Sequence, residues 1–156
     1  MHLLIKYHTD EIREKASLKP AKRGDAGMDL YNASNDKILV PRGGSVLVAA
    51  GISVKIPEGF FGLIKARSST FMKRGLFVVD GVIDSGYTGP LYTVVWNPGL
   101  ILPNGKMSAD SLHIEIEPWE RVSQLVLIPH HSNLSITVRE LPSTDRGQTG
   151  FGSTGR

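Results

Sequence analysis

Short β-prone runs punctuated by glycine- and proline-rich turns dominate this chain. Turn clusters stand at Pro41-Arg42-Gly43-Gly44, Pro57-Glu58-Gly59, Asn97-Pro98-Gly99 and Pro103-Asn104-Gly105. Proline presets one turn dihedral and glycine reaches the backbone angles that other residues avoid, so such clusters stop strands. Between them the pattern predicts strands near Met28–Asn32, Lys37–Val40, Ser45–Ala49, Ile52–Ile56, Phe60–Ala66, Leu76–Val79 and Leu91–Trp96. A first strand is expected within His2–His8, and later ones over Leu112–Glu117, Val122–Pro129 and Leu134–Leu141. Leu112–Glu117 and Leu134–Arg139 alternate strictly between apolar and polar, as half-buried strands do. No segment carries the period of a long amphipathic helix. Asp10–Ala16 offers a weak turn or two, and Ser69–Arg74 is the one inner stretch that reads as a short helix. The expected fold is all-β: a distorted barrel or jelly roll of short strands with at most one short helix.

A chain of 156 residues is most simply one domain with a real core. We expect that domain to span residues 1–142. From Ser143 the composition turns to Gly, Ser and Thr, with Arg146, Arg156 and the lone Phe151, which predicts a separate arm over 143–156. There are no cysteines, which removes disulfides, thiolate metal sites and a cysteine nucleophile. The opening Met1–Lys6 stops being apolar too soon for a signal peptide, and no run approaches a membrane span. The expectation is a soluble, cytoplasmic protein without membrane contact. The net charge is +3, but the bases are dispersed among acids, as around Arg13, Lys15 and Lys22 with Glu11, Glu14 and Asp25. Without a concentrated basic and aromatic face, direct nucleic-acid binding is not expected.

Several residues exceed what a β-fold requires. The ten residues Gly81–Pro90 hold three glycines, a proline, the acid Asp84 and the aromatic Tyr87. Flanked by Leu76–Val79 and Leu91–Trp96, this stretch reads as the connection of a β-hairpin. On its own surroundings Asp84 passes for a turn-stabilising acid. Arg67-Ser68-Ser69 leaves a strand and opens the short helical stretch. One reading is a phosphate-type anion site; the other is a serine cap with a surface arginine. Asp29 stands in an otherwise apolar strand and wants a cationic partner, for which Arg67 would serve. Arg121 and Gln124 are three apart, which puts them on opposite faces of a regular strand, unless Arg121 at the strand's start still belongs to the turn.

Together these segments match one family in order. The chain resembles the homotrimeric dUTPases, whose five motifs recur across residues 21–156. Ala26-Gly27-Met28-Asp29-Leu30 is similar to the first and Arg67-Ser68-Ser69 to the second. Gly81–Gly89 resembles the third and Arg121-Val122-Ser123-Gln124-Leu125 the fourth. Arg146-Gly147 with Gly150-Phe151-Gly152-Ser153-Thr154-Gly155 resembles the fifth. The third and fifth are specific; the others mean little singly. The chain departs from the pattern at Gly86, where an acid is usual, at Thr149, where glycine is usual, and at Trp119-Glu120, where glycine and an acid are usual. The span Pro98–Ser111 is longer than the compact family pattern.

The resemblance implies the dUTPase form of the fold with an exchanged C-terminal arm, and hydrolysis of dUTP to dUMP and pyrophosphate. It casts Asp84 as the base that holds the attacking water at the α-phosphorus. Gly81, Val82 and Ile83 would read uracil through backbone groups, Tyr87 would test the deoxyribose, and Phe151 would close over the base. Arg67, Ser68, Ser69, Gln124, Arg146, Gly152, Ser153 and Thr154 would hold phosphates, and Asp29 would orient Arg67. Mg²⁺ would be held through substrate phosphates and waters, with no direct protein ligand. Each site would draw on three subunits of a homotrimer. A dCTP deaminase of the same fold is the nearest rival, but it would want a hairpin glutamate and would lack the Gly150–Gly155 tail. A dUTPase-like protein with an added protein-binding role, carried by Pro98–Ser111, is the rival of another class.

Overall fold

In the computed structural model the described residues are 2–99, 113–131 and 135–144. Ten strands form two four-stranded antiparallel sheets and a two-stranded ladder. The first sheet runs in the order β1 (Leu4–Tyr7), β4 (Ser45–Lys55), β8 (Pro90–Trp96), β6 (Phe77–Val79). The second runs β2 (Gly27–Tyr31), β10 (Arg121–Pro129), β5 (Phe60–Ala66), β7 (Gly81–Ile83). The ladder joins β3 (Ile38–Pro41) to β9 (His113–Ile116). Alternate residues of the strands point inward and meet in one core. Val48, Ile52, Val54, Leu91 and Val95 come from the first sheet, and Leu30, Ile64 and Leu125 from the second. This is the expected all-β architecture.

The helix count corrects the expectation. There are two short helices, α1 (Asp10–Lys15) and α2 (Ser68–Arg74). The first forms because the Thr9 hydroxyl caps it, accepting from the Ile12 N–H at 3.2 Å. Asp10 and Glu11 occupy its first turn, and Ile12 is buried beneath it. Lys15 closes the last turn, pairing with Glu11 at 2.6 Å and lying 4.7 Å from the Trp119 ring centre.

Three strand expectations also change. Ser45–Ala49 and Ile52–Ile56 were expected as two strands. They form one, bent where its pairing with β8 shifts between Ala49 and Ser53. Gly51 sits in that bend at φ 66°, with Ile12 and Ala33 against it. The expected hairpin is only half right. Strands β6 and β8 pair, Phe77 opposite Trp96, but their connection is no simple turn. It crosses to the other sheet, where Gly81–Ile83 pairs with Gly62–Ile64 of β5 as a strand of its own. Finally, 135–141 forms no strand, and Ile136 and Leu141 are 86% and 85% exposed. The alternation there is genuine, but among the described residues the apolar side chains Ile136, Val138 and Leu141 stay largely exposed. No described helix is long and apolar enough to cross a membrane.

Gly51 generates a stability test. A Cβ there would lie 2.6 Å from Ile12 Cδ1 and 2.8 Å from Ala33 Cβ, on a left-handed backbone. Gly51→Ala is expected to cost about 2–4 kcal/mol from the strained backbone and the overpacking. Thermal unfolding at fixed protein concentration, which should show a clearly lowered midpoint, checks this.

Candidate active site

The site begins with one carboxylate. Asp29 lies on β2, between Met28 and the buried Leu30. Its Oδ1 accepts from Arg67 Nε at 2.7 Å, and its Oδ2 from Arg121 Nη1 at 3.3 Å. The carboxylate is only 16% exposed, so two guanidinium partners meet a real demand. Arg67 is held a second time, its Nη1 donating to the Ser69 hydroxyl at 3.2 Å.

How Arg121 arrives there was not visible in the spacing. Three residues separate it from Gln124, yet both border the same cleft. The strand carries a bulge: Arg121 faces Tyr31, Ser123 faces Leu30 and Gln124 faces Asp29, leaving Val122 without an opposite number. The extra residue turns Arg121 back onto the Gln124 face, while Val122 and Ser123 are both buried. The bulge follows directly on Trp119, which holds φ 59°, an unusual angle for a bulky side chain. Packing on Lys15 and a 3.1 Å hydrogen bond from its indole N–H to Asn35 anchor the ring. Sequence reading gave Arg121 a place in the fourth motif but no role.

The cleft has a volume of about 380 Å³ and is bordered by Gly27, Asp29, Arg67, Ser68, Arg121 and Gln124. Gln124 Nε2 donates to the Ala66 carbonyl at 3.0 Å, which ties the Gln124 side chain to the end of β5. It lies so close to Gly27 that a Cβ there would come within 2.8 Å of Gln124 Cδ. The helix-cap reading of the serines does not hold: Arg67 is the cap residue of α2 and no side chain caps the helix. The hydroxyl of Ser68, exposed at the cleft wall, is therefore not spent on the backbone. Two cations, an amide and a hydroxyl around one opening suit an anion with several oxygens.

Asp84 and Tyr87 stand elsewhere. With Val82, Ile83, Pro90 and Tyr92 they border a second hollow of about 250 Å³. The Tyr87 N–H donates to the Asp84 carbonyl at 3.1 Å and its hydroxyl to the Pro90 carbonyl at 2.9 Å. The ring lies over Gly89, where a Cβ would sit 2.6 Å from Tyr87 Cζ. Tyr92, which sequence reading took for an ordinary strand residue, also borders this hollow. Ile83, next to Asp84, pairs with Gly62, whereas Arg67 lies just past the other end of β5. At ~3.4 Å per residue, Gly62 and Arg67 stand about 17 Å apart along β5. The structure therefore brings Asp29, Arg67, Ser68 and Gln124 together, and Gly81, Val82, Ile83, Asp84 and Tyr87 together, but not the two groups with each other. Arg146, Phe151, Gly152, Ser153 and Thr154 lie outside the described residues, as does most of the Pro98–Ser111 span. Among the described residues no three His, Cys, Asp or Glu side chains converge as metal ligands.

Comparison with known proteins gives a consistent picture. A family model described as dUTPase matches residues 13–155. The deoxyuridine 5'-triphosphate nucleotidohydrolase of Escherichia phage T5 is 39% identical over 139 residues, 83% of this chain and 85% of that protein. The one from Hydrogenobaculum sp. is 32% identical over 158 residues, 99% of each. Among solved structures, the Staphylococcus bacteriophage 80alpha dUTPase with dUPNHPP superposes with a TM-score of 0.80 at 27% identity, covering 99% of both chains.

The cleft itself generates a test. Gly27→Ala pushes the Gln124 amide aside without touching the core, because what it strikes is the end of a side chain. Calorimetric titration with inorganic tripolyphosphate should show affinity lower by about tenfold, one hydrogen bond to a charged acceptor. The thermal midpoint should barely move.

Proposed function

This chain belongs to the dUTPase family, which makes it a dUTP diphosphatase, and we propose that it works through sites completed by neighbouring subunits. The observation that carries the shared-site reading is the separation of the two halves along β5. A water aimed at the α-phosphorus must touch Asp84 while the phosphates touch Arg67, Ser68 and Gln124. A span of about 17 Å along β5 argues against one chain doing both. A homotrimer removes the difficulty, since a cyclic arrangement brings the Asp84 end of one subunit against the Arg67 end of the next.

In this reading Asp84 accepts a proton from the water and orients it for in-line attack, and pyrophosphate leaves. Arg67, Ser68 and Gln124 hold the phosphates, Ser69 acts through the Arg67 Nη1 from which its hydroxyl accepts, and Asp29 keeps Arg67 turned toward them. Donors fixed in place before the reaction lower the cost of the charge that develops. Backbone N–H and C=O groups of Gly81, Val82 and Ile83 read the uracil edge. Tyr87, tied to the Pro90 carbonyl, presents a fixed ring under the deoxyribose and leaves no room for a 2′-hydroxyl. The arm from residue 143 reaches a third subunit, where Phe151 covers the base and Arg146, Gly152, Ser153 and Thr154 close on the phosphates.

Magnesium fits this site as a partner of the substrate. The carboxylate nearest the phosphates, Asp29, is committed to two arginines and has no oxygen to give. Hard oxygen donors for Mg²⁺ come instead from the triphosphate and water. When bound, the ion neutralises phosphate charge, and this chain's own residues do the positioning.

Two experiments test the reading. Incubation with dUTP, dCTP, dTTP and UTP in Mg²⁺ should release pyrophosphate from dUTP alone; ammonia from dCTP would mark a deaminase instead. Asp84→Asn should keep nucleotide binding and lower kcat by at least about a hundredfold. Arg67→Ala should also be inactive. Unfolded together in equal amounts and refolded, the two dead variants should recover roughly a quarter of wild-type activity, because one in four random interfaces pairs an intact Asp84 with an intact Arg67. No recovery would mean that each chain builds its own site.

A further inference from the structure

Arg67 and Arg121 have a second side. Beyond the Asp29 fork they border another hollow, of about 250 Å³, with Ser69, Lys73, Arg74 and Glu120 as its other charged or hydroxyl walls. Four cations thus face it against one carboxylate. That carboxylate is already spent: Glu120 Oε1 pairs with Arg74 Nη1 at 2.5 Å, and its Oε2 accepts the Glu117 N–H at 2.8 Å. Arg74 is also tied to the Glu115 carbonyl. The Thr70 hydroxyl is turned inward onto the Val122 carbonyl. Lys73 differs from all of these. It is exposed on the last turn of α2 and has no hydrogen bond or ion pair among the described residues. A positive hollow with one uncommitted ammonium at its mouth is unbalanced until an anion enters it.

We propose that this hollow is a subsite for inorganic pyrophosphate, distinct from the cleft that holds the substrate, with Lys73 as its defining residue. The proposal rests on the reaction assigned above, which generates that anion. Because Arg67 and Arg121 border both hollows, pyrophosphate passes from the cleft to the subsite without leaving their charge. A diphosphate has enough oxygens to engage two guanidinium groups and an ammonium at once, which orthophosphate does less well. The subsite draws product away from the phosphates' place before a new substrate arrives. It also makes pyrophosphate an inhibitor, since its occupation competes for the two shared arginines.

The full chain is titrated calorimetrically with pyrophosphate, and separately with orthophosphate, in magnesium-free buffer. Pyrophosphate should bind more tightly. Lys73→Met should weaken it about three- to tenfold, the loss of one exposed charge-assisted contact. Lys73→Arg should restore most of the affinity, and both variants should melt with the wild type because the side chain is exposed. In turnover of dUTP, Lys73→Met should raise the pyrophosphate inhibition constant by the same factor while KM for dUTP stays within about twofold. Unchanged pyrophosphate affinity in Lys73→Met overturns the proposal. An equal rise in KM and in the inhibition constant also overturns it, because the hollow would then hold the tail of bound substrate. If the wild type releases no pyrophosphate from dUTP, the assigned reaction fails. The titration still decides whether Lys73 marks an anion site.

Discussion

The carboxylate of Asp29 is the point on which the geometry of the cleft depends. A charge that is 16% exposed must be paired, and here each oxygen has its own guanidinium. The two partners come from different places: Arg67 from the junction of β5 and α2, Arg121 from the start of β10. Pairing both to one acid on β2 therefore fixes three elements against one another at the end of a sheet. The β10 bulge makes this possible, since a regular strand would turn Arg121 to the opposite face. Gly27 completes the arrangement by leaving room beside it for the Gln124 amide, which is tied to Ala66 of β5. Arginine suits this arrangement better than lysine would. One guanidinium reaches the acid through one nitrogen and keeps others for an anion.

The second constraint is the length of β5. It places Gly62, beside Ile83, at one end and the Arg67 turn at the other. Sheets are stiff along their strands, so no loop movement brings Gly62 and Arg67, about 17 Å apart, together. The surface carries the same message. Leu47, Tyr92, Trp96, Phe77 and Val79 are all substantially exposed on the first sheet, and Ile136 and Leu141 more so beyond β10. Exposed apolar residues gathered on adjacent strands favour association. One chain leaves open both its site and its apolar face, and in the proposed trimer the same contacts cover the one and complete the other.

Much of this was legible in the residues because β-folds announce themselves locally. Alternation located β9, and turn clusters located the ends of β3, β4 and β8. Three features stayed hidden for physical reasons. The β10 bulge depends on pairing with β2, and no residue within Arg121–Gln124 signals it. The crossing of Gly81–Ile83 to the second sheet is a long-range choice, since a glycine-rich stretch between two β-runs reads equally well as a tight turn. Helix α1 was underrated because its stability lies in the Thr9 cap and the burial of Ile12, whereas helical propensity over so few residues is weak. The alternation of Leu134–Arg139 misled in the opposite direction. A pattern shows that a segment has an apolar face, but not which chain that face lies on.

The hairpin glycines show how the structure separates need from accident. Gly89 is required where it stands, because a side chain there would collide with the Tyr87 ring. Gly86 is different. It has no left-handed backbone, and a Cβ built on it meets nothing within 4 Å. The acid usual at this position would therefore fit without moving the hairpin, so its absence is not imposed by the hairpin's own geometry. Asp84 and Tyr87 keep their mutual hydrogen bond and their hollow regardless. What the substitution changes is the charge on the outer side of the turn. In the proposed trimer, whose sites lie between chains, that side faces solvent or a neighbour. The departure from the family pattern thus bears on what the hairpin meets across the interface, and leaves its internal arrangement as it is.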